Sequence, residues 1–361
     1  MRKPKIVFVS EAIRRDNHAP LKLFNRFEIV HFYLKVDFKM SEDDLRGARR
    51  VALTDLYKKI VAEKPDIIQG AEPFGSRLAF YLAIVCKKAA KKTGAKLIIP
   101  VFENRPIKER FNFIQRAALR IFCPTYFKRA TMIALNSGAS RNIKYYFARA
   151  RIIEGLVWGV WGVDLDFFHP SAKKIHGQIV YVGRLVEEKG LKYLVEGFAQ
   201  AAEKLPYLKL NLVGKGDFEG DLRQMVKNLK IEKKVRFVGP VENTQLPQYF
   251  CEAELSIYPS ITTKRWEEQV GTVNLQALSC GTPVLTTKSG AIPEYITDGE
   301  GAIVVDEKDS AAIAQAILKF YKDGKLRAKL SSEAREKASK YDIKKEVEKA
   351  QSILEQLLDE E

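Results

Sequence analysis

The absences in this 361-residue chain narrow it first. It has only four cysteines, Cys86, Cys123, Cys251 and Cys280, widely spaced and without a paired motif. That argues against a disulfide framework and against a zinc site, and it fits a reducing cytosol. The four histidines show no ligand spacing, so no metal is expected. No apolar run approaches the roughly 18 residues of a membrane span. The longest, Leu78 to Cys86, is far too short. Behind the basic start, Ile6 to Val9 is too brief for a signal peptide and reads as a strand. Low-complexity segments and short-period repeats are missing as well. Acidic charge is scarce in one place: the net charge of +16 falls almost entirely in the N-terminal half. That half should attract something anionic, such as a phosphorylated acceptor, an acidic membrane surface or nucleic acid. No nucleic-acid recognition motif accompanies the charge, so no nucleic-acid partner is expected.

What is present is a regular alternation. Strands are expected at Lys5 to Val9, Asp66 to Gln69, Ala95 to Phe102 and Thr131 to Leu135, and Arg151 to Glu154 leads to a last one. Ser10 to Pro20 reads as a loop, and Ser41 to Asp44 as a capping box opening a long helix to about Glu63. A helix is expected from Ser76 to Lys92, and Asn136 should cap another. The glycine- and aromatic-rich stretch Trp158 to Pro170 breaks the pattern. A second alternation runs from Gln178 to Thr287, and three helices finish the chain. Strands alternating with helices imply α/β architecture with parallel, doubly wound sheets. The expected domains are 1–168 and 169–341, followed by a last helix, 342–361.

The stretch from Ile261 to Val284 carries the most chemistry. Tyr258-Pro259-Ser260 closes a short strand, and a polar loop with Glu267 and Glu268 follows. Gly271 frees the backbone, Thr272 is the expected N-cap, and Gly281 with Pro283 stops the helix. A helix N-terminus at the carboxyl end of a parallel strand favours an anion, most simply a phosphate. A carboxylate such as Glu268 would repel that anion, so it is expected to accept hydroxyl hydrogen bonds. A ligand with both phosphate and hydroxyls is a nucleotide sugar. Three further loops sit at strand ends. Gly183-Arg-Leu-Val-Glu-Glu-Lys-Gly190 offers Arg184 as a fork and Lys189 as a point charge for a diphosphate. Gly214 follows another strand, either as a plain turn or as a place where backbone approaches a ligand. Val238 and Gly239 end a third, where backbone could bond a base edge.

Together these pieces resemble the retaining glycosyltransferases of family 4. The resemblance is strongest from Val180 to Val305. Gly183-Arg184 with Glu188-Lys189-Gly190 is similar to that family's diphosphate loop. Glu268, then Gln276 eight residues on, then Ala277 to Val284 resemble its Glu-seven residues-Glu signature and continuation. Trp161-Gly162-Val163-Asp164 resembles its Asn-Gly-Val-Asp segment. The resemblance implies the GT-B fold, two Rossmann-like domains facing a central cleft, with the last helix, 342–361, crossing back to the first domain as in similar enzymes. It also implies metal-independent transfer from a nucleotide-diphosphate sugar, with no cofactor, to a hydroxyl acceptor; the basic charge of the N-terminal half would suit an acceptor on a lipid phosphate or an anionic glycan. Arg184 and Lys189 would hold the diphosphate and Glu268 the sugar hydroxyls. Gly271, Thr272 and Val273 would give backbone amides, and residue 276 would bind the ribose diol. Here that residue is glutamine, which loses a charge-assisted bond. A binding protein without transfer, or an epimerase or phosphorylase on the same fold, are the alternatives.

The N-terminal half departs more from the family. Ser10 to Arg15 has no glycine where that family's first loop is glycine-rich. Glu103 stands where the family often has a histidine. It would hold a donor hydroxyl or stabilise charge on the reacting sugar; a capping or ion-pairing role beside Arg105 is equally open. Glu72 is a further acceptor-side candidate. Pro106 to Pro124 reads as a basic amphipathic helix. Phe113, Ile114, Ala117 and Ile121 recur at helical spacing, with Lys108, Arg110, Arg116 and Arg120 between them. The 107–127 segment suits an anionic bilayer, which would make the protein cytoplasmic and peripheral on the inner face of the cell membrane. A sheet-covering helix with that face in the core is the other reading.

Overall fold

The computed structural model describes residues 2–36, 40–156, 158–159, 162–264 and 266–360. The chain divides into two compact units, residues 1–161 with 343–361, and residues 162–342. Trp161, which opens the Gly162-Val163-Asp164 segment, lies outside the described residues.

The first unit is a seven-stranded sheet in the order β3-β2-β1-β4-β5-β6-β7. Its strands are β1 (Lys5–Ile13), β2 (Glu28–Val36), β3 (Ala48–Arg50), β4 (Ile67–Gln69), β5 (Lys96–Val101), β6 (Ala130–Ala134) and β7 (Arg151–Ile153). Every pairing is parallel. Continuous apolar runs such as Leu97 to Val101 follow from that, because helices cover both faces. Ser76 caps the helix Arg77–Thr93 by accepting from the Ala79 amide at 3.0 Å, and Gly94 ends it in the left-handed conformation. The final helix, Ile343–Asp359, belongs to this unit. Its buried Gln351 accepts the amides of Asn25 and Arg26, both at 2.9 Å.

Four expectations are corrected here. β1 runs on to Ile13 through the stretch read as loop, because Ser10, Ala12 and Ile13 keep pairing with β2. β2 itself was not foreseen. The Ser41–Asp44 bonds form, each at 3.1 Å, but no helix follows them. Gly47 turns the chain at φ +88°, Ala48–Arg50 joins the sheet edge, and the helix is only Leu53–Ala62. The 106–124 segment is two helices, Ile107–Arg110 and Phe113–Phe127, because Asn112 and Gln115 close a capping box between them.

The second unit is a six-stranded parallel sheet in the order β10-β9-β8-β11-β12-β13. Its strands are β8 (Gln178–Val182), β9 (Lys209–Val213), β10 (Val235–Gly239), β11 (Leu255–Tyr258), β12 (Val284–Thr287) and β13 (Ala302–Val305). β13 was not foreseen either. Strand order reverses between β8 and β11, and ligands of such sheets bind outside the carboxyl ends at that point. Gly162 and Val163 tie the start of this unit to its end: the Val163 amide donates to the Tyr341 carbonyl at 2.9 Å.

Candidate functional site

The loops after β8 and β11 meet at the topological switch. β8 leads into a single 3₁₀ turn, Glu187–Lys189, and then the helix Leu191–Lys204. Gly190 makes the join at φ +68°, where a Cβ would stand 1.9 Å from the Pro259 carbonyl oxygen. The Ile261 amide donates to the Glu188 carbonyl at 2.9 Å and holds the two loops together. Lys189 therefore points inward, not to solvent. Its Nζ lies 2.7 Å from Glu268 Oε2, and the Ser260 hydroxyl donates to the same oxygen at 2.9 Å. The ammonium sits 4.8 Å from the Tyr258 ring centroid and 4.3 Å from that of Trp266. Burial pulls the Lys189 pKa down, and Glu268 opposes the shift. Arg184, by contrast, is largely exposed, with Glu188 3.7 Å away. The two cations of one loop thus occupy different environments.

Three glycines from separate strand ends line up along the same edge. The Gly183 amide donates to the Val213 carbonyl at 3.0 Å, and the Gly214 amide to the Gly239 carbonyl at 2.9 Å. A Cβ on Gly214 would lie 1.9 Å from the Gly183 carbonyl oxygen. Nothing but backbone fits there, so the edges of β8, β9 and β10 present peptide groups to whatever approaches. Val238 sits beside Gly239 where the register of β10 slips. The helix after the Glu268 loop is Thr272–Ser279, with Gly271, at φ +74°, as its N-cap in place of Thr272. Thr272, Val273 and Gln276 are only partly buried, Val273 against the edge of the core, while Leu275, Ala277, Leu278 and Ser279 are buried. The open face of this helix is thus the one carrying the three candidate donor residues.

Sequence reasoning missed Asn274. It is 1 % exposed, yet neither its amide nitrogen nor its oxygen has a hydrogen-bond partner. It lies in the first turn, beside Gly271. A polar residue between Val273 and Leu275 was the available signal. Ser260 and Trp266 were missed because only the fold brings them to Lys189.

Glu103 belongs to the first unit, at the carboxyl end of β5. It is 2 % exposed, accepts the Arg105 amide at 3.0 Å and forms an ion pair with Arg110. Glu72 lies beside it and accepts the amides of Phe102 and Glu103 at 2.8 and 3.1 Å. Burial pushes the Glu72 carboxyl up to about 7, against the Phe102 amide and Arg110. Among the described residues, no group of three or more His, Cys, Asp or Glu is placed to hold a metal ion.

Residues 165–337 match the family model described as glycosyl transferases group 1. D-inositol 3-phosphate glycosyltransferase of Pseudarthrobacter chlorophenolicus is 29% identical over 187 residues, 48% of this chain and 43% of that protein. The GDP-mannose-dependent alpha-(1-6)-phosphatidylinositol monomannoside mannosyltransferase of Mycolicibacterium smegmatis is 30% identical over 169 residues, 43% of this chain and 44% of that protein. The chain spans less than half the length of these two relatives. Among solved structures, Anabaena HepE in complex with UDP superposes with a TM-score of 0.79 at 20% identity, covering 98% of this chain and 100% of that one. That likeness speaks to the fold. The match to glycosyl transferases group 1 is thus confined to residues 165–337, a little under half of the chain, and the fold is that of GT-B proteins.

Proposed function

We propose that the protein transfers a sugar from a nucleoside-diphosphate sugar to a hydroxyl acceptor, retaining configuration at the anomeric carbon. The reading rests on the Lys189–Glu268 pair, held at 2.7 Å beside the glycine edge and the open end of the Thr272–Ser279 helix. In this reading the diphosphate lies against the helix N-terminus and the two cations, Lys189 from within and Arg184 from solvent. As the bond from anomeric carbon to phosphate oxygen breaks, negative charge grows on the departing diphosphate. The amides of Thr272 and Val273, the dipole and the cations stabilise it where it forms. The acceptor oxygen bonds the anomeric carbon on the face the diphosphate leaves, and its proton passes to the phosphate oxygen. Glu268 keeps Oε2 on Lys189 and Ser260 and turns its other oxygen to a sugar hydroxyl. Gln276 bonds the ribose diol through its amide. The basic N-terminal unit draws an anionic or phosphate-bearing acceptor by charge.

Thermal-shift screening against UDP-, GDP- and ADP-sugars, followed by detection of released nucleoside diphosphate in the presence of lipid-phosphate acceptors, tests this. A second reading, binding without transfer, is favoured by Glu103, whose carboxylate is already engaged by Arg105 and Arg110. Donor binding with no nucleoside diphosphate released would select it. Sugar isomerisation without acceptor would select an epimerase.

A further inference from the structure

We infer that the outer face of the Phe113–Phe127 helix docks on an anionic lipid bilayer. This helix is apolar on two sides. Leu119, Cys123, Tyr126 and Phe127 are buried in the core of the first unit. Phe113, Ile114 and Ile121 are 75%, 77% and 79% exposed. The spacing that suggested a single amphipathic face therefore belongs to a surface the core does not use. Ile114, Ala118 and Ile121 are three and four residues apart, so they form one outward stripe.

Charge identifies the occupant. Between Glu109 and Glu154 the sequence holds nine Lys and Arg and no Asp or Glu. Several cations border the stripe. The Arg120 guanidinium lies 5.7 Å from the Tyr145 ring centroid and donates to the Tyr145 hydroxyl at 3.3 Å. Lys108 approaches the same ring at 5.9 Å. The helix Arg77–Thr93 packs alongside through Phe80 and Phe122, with centroids 4.8 Å apart, and carries the exposed Tyr81. Apolar side chains at the centre, tyrosines beside them and Lys and Arg around them match the layering of a bilayer surface. Anionic headgroups neutralise the cations while Phe113, Ile114 and Ile121 enter the acyl boundary. A second copy of the chain fits poorly, since a two-fold contact would set this cationic patch against itself. Nucleic acid would use the cations but leave the apolar stripe in water.

The test uses the full chain and vesicles of equal parts phosphatidylglycerol and phosphatidylcholine, with pure phosphatidylcholine as control. The mixed vesicles should sediment the protein and the neutral ones should not. Phe113→Ser/Ile114→Ser/Ile121→Ser should lower the bound fraction by about tenfold or more. Its melting temperature should be unchanged, because these side chains are already in water. Ile114→Trp should bind as wild type and shift its emission to the blue on mixed vesicles. No binding by wild type, equal binding by the triple variant, or no blue shift would overturn the inference. So would a wild-type dimer that the triple variant dissolves. Vesicle binding reads no sugar transfer, so this test stands or falls apart from the proposed reaction.

Discussion

Lys189 and Glu268, 79 positions apart in sequence, form an ion pair of 2.7 Å in which each side chain is at most 10% exposed. Removing one partner strands the other charge without water, at a cost of about 3–5 kcal/mol. Lys189→Met alone should therefore lower the melting temperature sharply. Lys189→Met/Glu268→Gln should recover much of the loss while donor binding stays abolished. Chemical denaturation of wild type, both single variants and the double variant checks this. If the double variant costs as much as both singles together, the pair is not coupled.

Asn274 separates ligand binding from stability. An unpartnered buried amide costs about 1–3 kcal/mol. Asn274→Leu, of similar size, should raise the stability of the free protein. If the amide is kept for the donor, the same change should shrink the stabilisation that a nucleotide sugar gives. Melting curves with and without donor read both. A variant destabilised without donor would contradict this account of Asn274.

Gln276→Glu restores a carboxylate on the open face of the Thr272–Ser279 helix. A hydrogen bond to a charged group contributes about 1.5–3 kcal/mol against about 1 for a neutral one. Donor affinity should rise several-fold, measured by calorimetry. Unchanged affinity for every base would place the ribose elsewhere.

The first unit contains a buried histidine pair. His18 Nδ1 is 2.9 Å from His31 Nδ1, His31 Nε2 is 2.8 Å from Ser10 Oγ, and His18 Nε2 is 3.1 Å from the Arg46 carbonyl. A carbonyl only accepts, so His18 Nε2 carries a proton and its Nδ1 accepts from His31 Nδ1–H. The lone pair of His31 Nε2 then receives the Ser10 hydroxyl. Burial holds the His31 pKa down to about 3, with His18 adding to the effect, against 6.5 for the free side chain. A base depressed in this way contributes fully above pH 6.5. Its contribution is lost as pH falls toward 3, at about 1.4 kcal/mol per unit. The denaturation midpoint should drop between pH 6 and 4, and His31→Asn should flatten that slope. An equal slope in the variant would show that other groups set it.

The second unit, β13 apart, was legible because its signals are local. Strand, glycine turn and helix follow one another at Gly183, Gly214 and Gly271, and each break is written within a few residues. β2 and β3 were not legible. Ala48–Arg50 is a strand only because β2 lies beside it. The direction a helix faces was hidden as well. Periodicity picks out Phe113, Ile114 and Ile121, but only packing shows that Leu119, Cys123, Tyr126 and Phe127 take the core side. Pairing across 79 residues is likewise a product of topology, so the sequence named Lys189 and Glu268 without joining them.

The most direct test is calorimetric titration of wild type and Arg184→Ala with UDP-, GDP- and ADP-glucose. Arg184 is exposed, so its loss should leave the melting temperature unchanged. One nucleotide sugar should bind wild type well below millimolar, and Arg184→Ala should weaken it by about tenfold, the loss of roughly one charge-assisted bond. Equal affinity in the variant, or no heat from any of the three sugars, would contradict a diphosphate seat at this edge of the sheet.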